Sequence, residues 1–176
     1  ATQAAFALEN ARLFEETHQR VADLEMLNLV SAALRAVTEQ DQMLAIVLDQ
    51  ALTALHTRHG AIVLWNPVEG GLLPAMARGW LCDIHESPVG PGEGMFGKVF
   101  ASGETYLSQE FSSDPLTLPS ARAQIPPGWG GACVPIRSAE QTLGVLLVSI
   151  PSKWKLSQDE VRQLNTLAEM TGSTLH

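Results

Sequence analysis

Apolar residues recur along this chain in two rhythms, one helical and one alternating, and the rhythm changes near residue 60. From Ala1 to about Val37 there is no Gly or Pro, and Ala, Leu, Glu, Gln and Arg dominate, which predicts one long helix. Phe14, Val21 and Asn28 fall at sevens with Leu24 between them, while Leu27 and Leu34 form a second seam. Glu15, Glu16, Arg20, Asp23 and Glu25 interleave these positions, as charges do on helices that pair with a partner. The pattern fits a helix that dimerises better than one that caps its own domain. Thr38-Glu-Gln-Asp41 then has the form of a helix N-cap with an acid three positions on. It opens a second amphipathic helix with Met43, Ile46, Val47, Ala51, Leu52 and Leu55 at helical spacing, ended by Gly60.

Beyond Gly60 the residues are those of strands and turns. Ala61 to Trp65 predicts a first strand, Asn66-Pro-Val-Glu-Gly-Gly71 a turn, and Leu72 to about Trp80 a second strand. Residues 82 to 92 hold Pro88, Pro91 and two glycines, hence a loop, and Glu93 to about Ala101 predicts a short helix with Phe96, Val99 and Phe100 on one face. Thr105 to Ser108 reads as a short strand. Gln109 to Trp129 carries four prolines and mixed polarity, too long for a simple connection and therefore a candidate lid or binding loop. A central hairpin follows from Gly131 to Ile150, turning at Ser138-Ala-Glu-Gln141. Its second arm is almost continuously apolar, which predicts cover on both faces. Gly144 leaves room there for a neighbouring backbone or a ligand, and Pro135 belongs at a bulge or at the end of its ladder. Ser157 and Glu160 form a capping box with Leu156 and Val161 as a hydrophobic staple. The helix they open has Val161, Leu164, Leu167, Ala168 and Leu175 as its core face. This order of elements describes an α+β domain around an antiparallel sheet.

Composition narrows the function. At 176 residues, 45% hydrophobic and 17% charged, the chain has length for one domain and a helical extension. A formal net charge of −8 with scattered Lys and Arg excludes a non-specific nucleic-acid surface, which needs clustered cations. Two cysteines are too few for a disulfide-stapled secreted domain and fit a reducing compartment. No signal-like segment opens the chain and no apolar run approaches the length of a membrane span. The expectation is a cytoplasmic protein without direct membrane contact, and the start at Ala1, without Met, suggests an excised piece of a longer one.

Gly92-Glu-Gly94-x-x-Gly97-Lys-Val99, Ser102-Gly-Glu104, Glu110 to Asp114-Pro115, Val134-Pro-Ile136 and Leu143-Gly-Val-Leu146, followed by a closing helix, occur in this order and spacing. Together they resemble the GAF domain over roughly residues 25 to 176. The resemblance implies a six-stranded antiparallel sheet, with terminal helices on one face and a small-molecule pocket under loops on the other. Glu110 departs from it, since many members carry Asp just after the third strand. Residues 1 to 24 then read as the exit or linker helix of an upstream module, because the run ending at His176 resembles Ala1 to Asn10. Such modules are strung along bacterial sensor histidine kinases and cyclic-dinucleotide enzymes, so the resemblance implies a similar multidomain, two-component type of parent.

Several patterns could be taken for chemistry. Gly92-x-Gly94-x-x-Gly97 matches a dinucleotide fingerprint in form, but it follows a proline loop, and Glu93 would face a pyrophosphate; glycines for a tight helix entry explain it better. Cys82 with His85, and His56 with His59, each offer two metal ligands where zinc needs four, so no metal site is assigned. Cys133 lies in an apolar strand and Cys82 beside Asp83, neither an electropositive setting that would activate a thiol. The resemblance brings in bilin-attaching and free methionine sulfoxide-reducing relatives, but Cys82 is not followed directly by His and the loops lack a second cysteine. The signature of cyclic-nucleotide-binding relatives is absent too. Trp65, Trp80, Phe96, Tyr106, Phe111, Trp129 and Cys133 are the candidate pocket residues, with core or lid packing as the alternative for the aromatics. No catalytic residue and no cofactor is assigned. The function expected is a non-catalytic sensory or regulatory domain that dimerises through its terminal helices and transmits a ligand-linked change. The alternatives are a small enzyme acting on a sulfur metabolite, and a dimerising spacer with a vestigial pocket.

Overall fold

A single α-helix, α1 (Thr2–Ala54), opens the chain. The computed structural model describes residues 2–84 and 88–175; Ala1, His176 and the His85 of the Cys82 pair lie outside them. The helix break expected at Thr38 does not occur. Thr38 Oγ1 donates to the Leu34 carbonyl at 2.9 Å, the back-bond of a threonine inside a helix, whereas a cap would accept from N–H groups ahead of it. With no Gly or Pro before Gly60, the i to i−4 ladder has no reason to stop earlier. It ends where His56 takes a left-handed φ of 51° and the Thr57 N–H donates to the Leu52 carbonyl at 3.0 Å.

The chain divides into two compact units, Ala1–Gln40 and Asp41–His176. The first is helix throughout its described length, and every described residue in it is exposed. The second begins with residues 41–54 of α1 and holds the sheet. Its strands are β1 (His59–Asn66), β2 (Gly71–Arg78), β3 (Tyr106–Ser108), β4 (Trp129–Arg137) and β5 (Thr142–Pro151). Their order is β2-β1-β5-β4-β3, with every neighbouring pair antiparallel. Helices α2 (Gly94–Ser102), α3 (Pro119–Arg122) and α4 (Gln158–Thr174) complete it.

The sheet has five strands among the described residues, where the resemblance implied six. After β2 the chain turns at Gly79, φ 67°, into a 3₁₀ turn over Gly79–Asp83. Among the described residues that follow this turn and precede α2, the one ladder pairing with the sheet is the isolated bridge from Val89 to Leu72. Pro88 and Pro91 deprive that segment of the donors a sixth strand would need.

Local chemistry explains the strands that do form. Between β1 and β2 the Asn66 Oδ1 accepts from the Val68 and Glu69 N–H groups at 2.9 and 3.1 Å, an Asx-type turn closed by Gly70 at φ 66°. The β4–β5 turn is closed by the Ser138 N–H to the Gln141 carbonyl at 2.9 Å. Gly144 is required by space, because a Cβ there would collide with the Val63 carbonyl oxygen of β1. Pro135 lies beyond the last β3 pairing, Tyr106 with Cys133, and just before a bulge at Ile136/Arg137. Its missing N–H therefore breaks no ladder on the β3 side.

Period-two alternation splits the core between the two faces of the sheet. Ala132, Val134, Ile136, Leu146 and Val148 face one side, where Leu44, Leu48 and Ala51 of α1 and Leu164 and Ala168 of α4 cover them. Cys133, Val145 and Leu147 face the other, with Met95 and Val99 of α2 and Phe111 of the long loop. The closing helix starts with the expected capping box: Ser157 Oγ accepts from the Glu160 N–H at 3.2 Å and Glu160 Oε2 accepts from the Ser157 N–H at 2.7 Å. No helix among the described residues is long and apolar enough to cross a membrane.

Candidate functional site

The face of the sheet away from α1 and α4 is roofed by α2 and by the segment from Gln109 to Trp129, and a cavity lies beneath that roof. The roof segment is proline-rich, yet it is well fixed. Asp114 is buried, and its carboxylate accepts from the Ser108 hydroxyl at 2.6 Å, the Tyr106 hydroxyl at 3.1 Å and the Leu116 N–H at 2.8 Å. Thr117 Oγ1 donates to the Phe111 carbonyl at 2.6 Å. The Arg122 guanidinium donates to the Asp114 carbonyl at 3.0 Å. Every polar partner here is local or on β3, so the loop is tied to the sheet edge while its apolar side chains turn inward.

Glu110 closes the two ends of the roof. It accepts from the Ser112 hydroxyl at 2.7 Å, the Ser152 hydroxyl at 2.7 Å and the Gly128 N–H at 3.0 Å. Partial desolvation pushes its pKa up, but the hydrogen bonds outweigh that and hold it below the ordinary carboxylate value. The longer side chain at this position, where the resemblance leads one to expect Asp, is what reaches both Gly128 and Ser152.

The glycines of the GxGxxG pattern serve the roof on α2. Gly92 and Gly94 take positive φ of 81° and 59°, and a Cβ on Gly97 would strike the Gly90 carbonyl oxygen. Glu93 Oε2 accepts from the Gly90 N–H at 2.9 Å. These are the contacts of a tight helix entry.

The cavity has a volume of about 60 Å³. Trp80, Phe96 and Phe111 line it, with Leu147 from β5 as part of its sheet side and Leu116, Leu118, Ala121 and Ile125 from the roof. Glu93 and Thr117 are the only residues with a polar side chain in the lining besides Trp80, and Lys, Arg and His are absent from it among the described residues. A smaller cavity of about 40 Å³ adjoins it, sharing Leu81, Ile84, Val89 and Phe96.

The other four candidates stand elsewhere on the same face. Trp65 stacks on Phe100 of α2 with centroids 5.2 Å apart. Tyr106 is held by Asp114 with Lys98 Nζ 5.5 Å above its ring; burial first, then the bond to Asp114, pushes its phenol pKa up. Trp129 meets His59 edge-on at 4.4 Å. Cys133 is wholly buried beside Tyr106 in the register, and burial first, then Asp114, raises its thiol well above the ordinary value. A thiol in that state is a poor nucleophile. Cys82 is exposed on the 3₁₀ turn. Among the described residues no group of three or more His, Cys, Asp or Glu is placed to hold a metal ion.

The segment Gln109 to Trp129 was expected as a lid or binding loop, but, Phe111 apart, its individual cavity-lining residues were not among the named candidates. Leu116, Leu118 and Ile125 sit in a stretch without helical or alternating period, so periodicity gives no sign of which way they face. Beyond the length and mixed polarity that mark the whole segment, their spacing among Pro115, Pro119 and Pro126 is the sequence feature that singles them out.

Comparison with known proteins agrees with this architecture. The family model of the GAF domain matches residues 37–176, and the chain belongs to that family. Among solved structures it is similar to the GAF domain/HD domain protein of Geobacter sulfurreducens, 16% identical, TM-score 0.69, covering 80% of this chain and 94% of that one. It is similar also to the GAF domain of a phosphoenolpyruvate-protein phosphotransferase from Coxiella burnetii, 20% identical, TM-score 0.63, covering 80% and 88%. A third is the domain of a putative two-component sensor histidine kinase from Sinorhizobium meliloti 1021, 15% identical, TM-score 0.56, covering 76% and 88%. At these identities the likeness is one of fold. None of the curated proteins matches the chain.

Proposed function

We propose that this chain is a non-catalytic sensory or regulatory domain of a multidomain cytoplasmic signalling protein. In this reading residues 25–176 form the GAF module and residues 1–24 the linker from an upstream one. The module binds a small molecule in the cavity under α2 and the Gln109 to Trp129 roof, and it works as a homodimer joined through the terminal helices. The observation that carries the reading is the arrangement of β5. Leu147 lines the cavity, while its neighbours Leu146 and Val148 pack against the cluster that includes Leu48 of α1 and Leu164 of α4. A ligand that shifts β5 thus acts on both helices through adjacent residues of one strand. For a signal the ligand must favour one helix arrangement over another, since equal affinity for both shifts neither. Membership of the GAF family and likeness to domains of a sensor histidine kinase and of a methyl-accepting chemotaxis protein support the same reading.

Native mass spectrometry of freshly purified protein tests it, because oligomer mass and retained ligand are read together. The expected result is a dimer, some of it carrying a small-molecule adduct, that weakens when residues 1–20 are deleted. A bare monomer at all concentrations overturns the reading. The small volume of the cavity favours one second reading, a dimerising spacer with a vestigial pocket, for which the dimer would carry no adduct.

A further inference from the structure

The cavity under the roof and the smaller one that adjoins it have volumes of about 60 and 40 Å³, and Leu81, Ile84, Val89 and Phe96 wall both and so stand between them. The second chamber owes its space to the register of the sheet. Ala61 of β1 lies opposite Leu147 of β5 on one side and Ala77 of β2 on the other, so these side chains form one row across the roofed face. Leu147 lines the first chamber, and the two alanines, each ending at a single methyl, line the second. Val63, Leu72 and Pro74 complete its strand side, and among the described residues every side chain in its lining is hydrocarbon.

Shape then decides between two kinds of apolar occupant. An apolar protein cavity that takes up a benzene ring has a volume of about 150 Å³, and each chamber is well below that. A ring would have to fit whole into one of them. An alkyl chain has only the cross-section of a methylene and can occupy both in succession, along a path from β5 to β2 that crosses two strand spacings, about 10 Å. Leu81, Ile84 and Phe96 are half-buried rather than locked in the core, so the wall between the chambers can part without opening the sheet.

From these observations we propose that the site takes an unbranched aliphatic chain, threaded through both chambers past Phe96. This names the ligand class of the sensory reading above and rests on that reading. Each methylene buried against such a wall is worth roughly fourfold in affinity. A cyclic isomer gains as much only where one chamber holds its carbons side by side, and neither chamber is large enough.

The test uses the full chain, ¹³C-labelled at leucine and valine methyls. Leu118 and Leu147 report the first chamber, Val63 and Leu72 the second. Butan-1-ol, hexan-1-ol, octan-1-ol and cyclohexanol are titrated; the hydroxyl is common to all, so differences among them report the hydrocarbon part. Affinity is expected to rise roughly fourfold per methylene along the straight series, with octan-1-ol shifting both pairs of methyls along one saturation curve. Cyclohexanol should bind more weakly than hexan-1-ol. Phe96→Ala, which joins the chambers, should raise the affinity for cyclohexanol severalfold while changing that for hexan-1-ol little, so the intrinsic difference between the two alcohols cancels. Ala77→Leu, which fills the second chamber from a half-buried position on β2, should weaken octan-1-ol roughly tenfold and leave butan-1-ol, which the first chamber accommodates, unchanged. If octan-1-ol moves only one pair of methyls, or binds Ala77→Leu as it binds the native chain, no chain runs through both chambers and the proposal falls, while the sensory reading keeps its site. If cyclohexanol binds the native chain as tightly as hexan-1-ol, the unbranched class is wrong, again without harm to that reading. If no alcohol shifts any of these methyls, the proposal falls entirely, and the adduct sought by native mass spectrometry decides the sensory reading on its own. The arms on the native chain stand even where a variant fails to fold.

Discussion

Leu27, Val30, Leu34 and Val37 repeat at spacings of three and four along α1, and Leu44, Leu48, Ala51 and Leu55 carry the same spacing on beyond Asp41. The two sets differ in what surrounds them. Leu27 and Leu34 are 63% and 62% exposed, whereas Leu44 and Leu48 are 1% and 0% exposed. Hydrophobic period therefore states which face of a helix is to be covered and is silent about what covers it. In residues 41–54 the cover is the sheet of the same chain. In residues 2–40 nothing among the described residues provides it, and Phe6, Leu13, Phe14, Val21 and Leu24 are exposed as well. A second copy supplying the matching seam is the cover that the proposed dimer requires.

Substituting across that boundary tests the contrast most severely. Leu48→Ala removes a side chain packed among Ile62, Val134 and Leu146 and is expected to cost about 2–5 kcal/mol, read as a lowered urea midpoint by tryptophan fluorescence. Leu34→Ala, made at dilution where the chain is monomeric, should change the same midpoint by no more than about 0.5 kcal/mol, and its effect should appear in the dimer dissociation constant instead. Equal midpoint losses for the two would mean that the two stretches do not differ as described. Gly144→Val is the next largest. Its added carbons meet the Val63 backbone rather than a movable side chain, so a loss of about 1–3 kcal/mol is expected. An unaltered melting temperature would mean that β5 can move away from β1 at no cost.

The same contrast explains how much the sequence disclosed. The central hairpin and the Ser157 and Glu160 box were legible because each depends on contacts within a few residues, the double-sided cover of β5 because its apolar run is almost unbroken, and a close approach at Gly144 because a glycine interrupts that run, although its partner, the Val63 carbonyl, is distant in sequence. Continuity of α1 through Thr38 was not, since a threonine serves as readily inside a helix, bonded to the carbonyl four residues back, as at its start. The strand count came from family likeness, and here Pro88 and Pro91 overrule it. The candidate site was legible only in its aromatic part. Trp80, Phe96 and Phe111 line the cavity, while Trp65, Tyr106 and Trp129 found partners in Phe100, Asp114 and His59. An aromatic residue looks the same in sequence whether its neighbour is a ligand or another ring. Asp114 could be suspected from its place before Pro115, but that its carboxylate gathers Tyr106 and Ser108 is a long-range fact of the β3 edge.

The smallest effect expected is one of pH, and it belongs wholly to the folded sheet unit. His59 opens β1 with its Nδ1 accepting from the Trp80 N–H and its ring against Trp129. Burial first, and the Arg58 charge second, lower its pKa below the ordinary 6.5. Because the folded state favours the neutral ring, its contribution to stability is complete above the unfolded value and is lost as pH falls through the lowered folded one. Between about pH 7 and about pH 5 the melting temperature should therefore fall slightly, and in His59→Gln, whose amide oxygen can still accept from Trp80, that part of the fall should vanish. An imidazole titration by NMR gives the direct reading. A His59 pKa at or above 6.5 would mean that burial in the folded state does not favour the neutral ring, and that His59 is not the source of the fall.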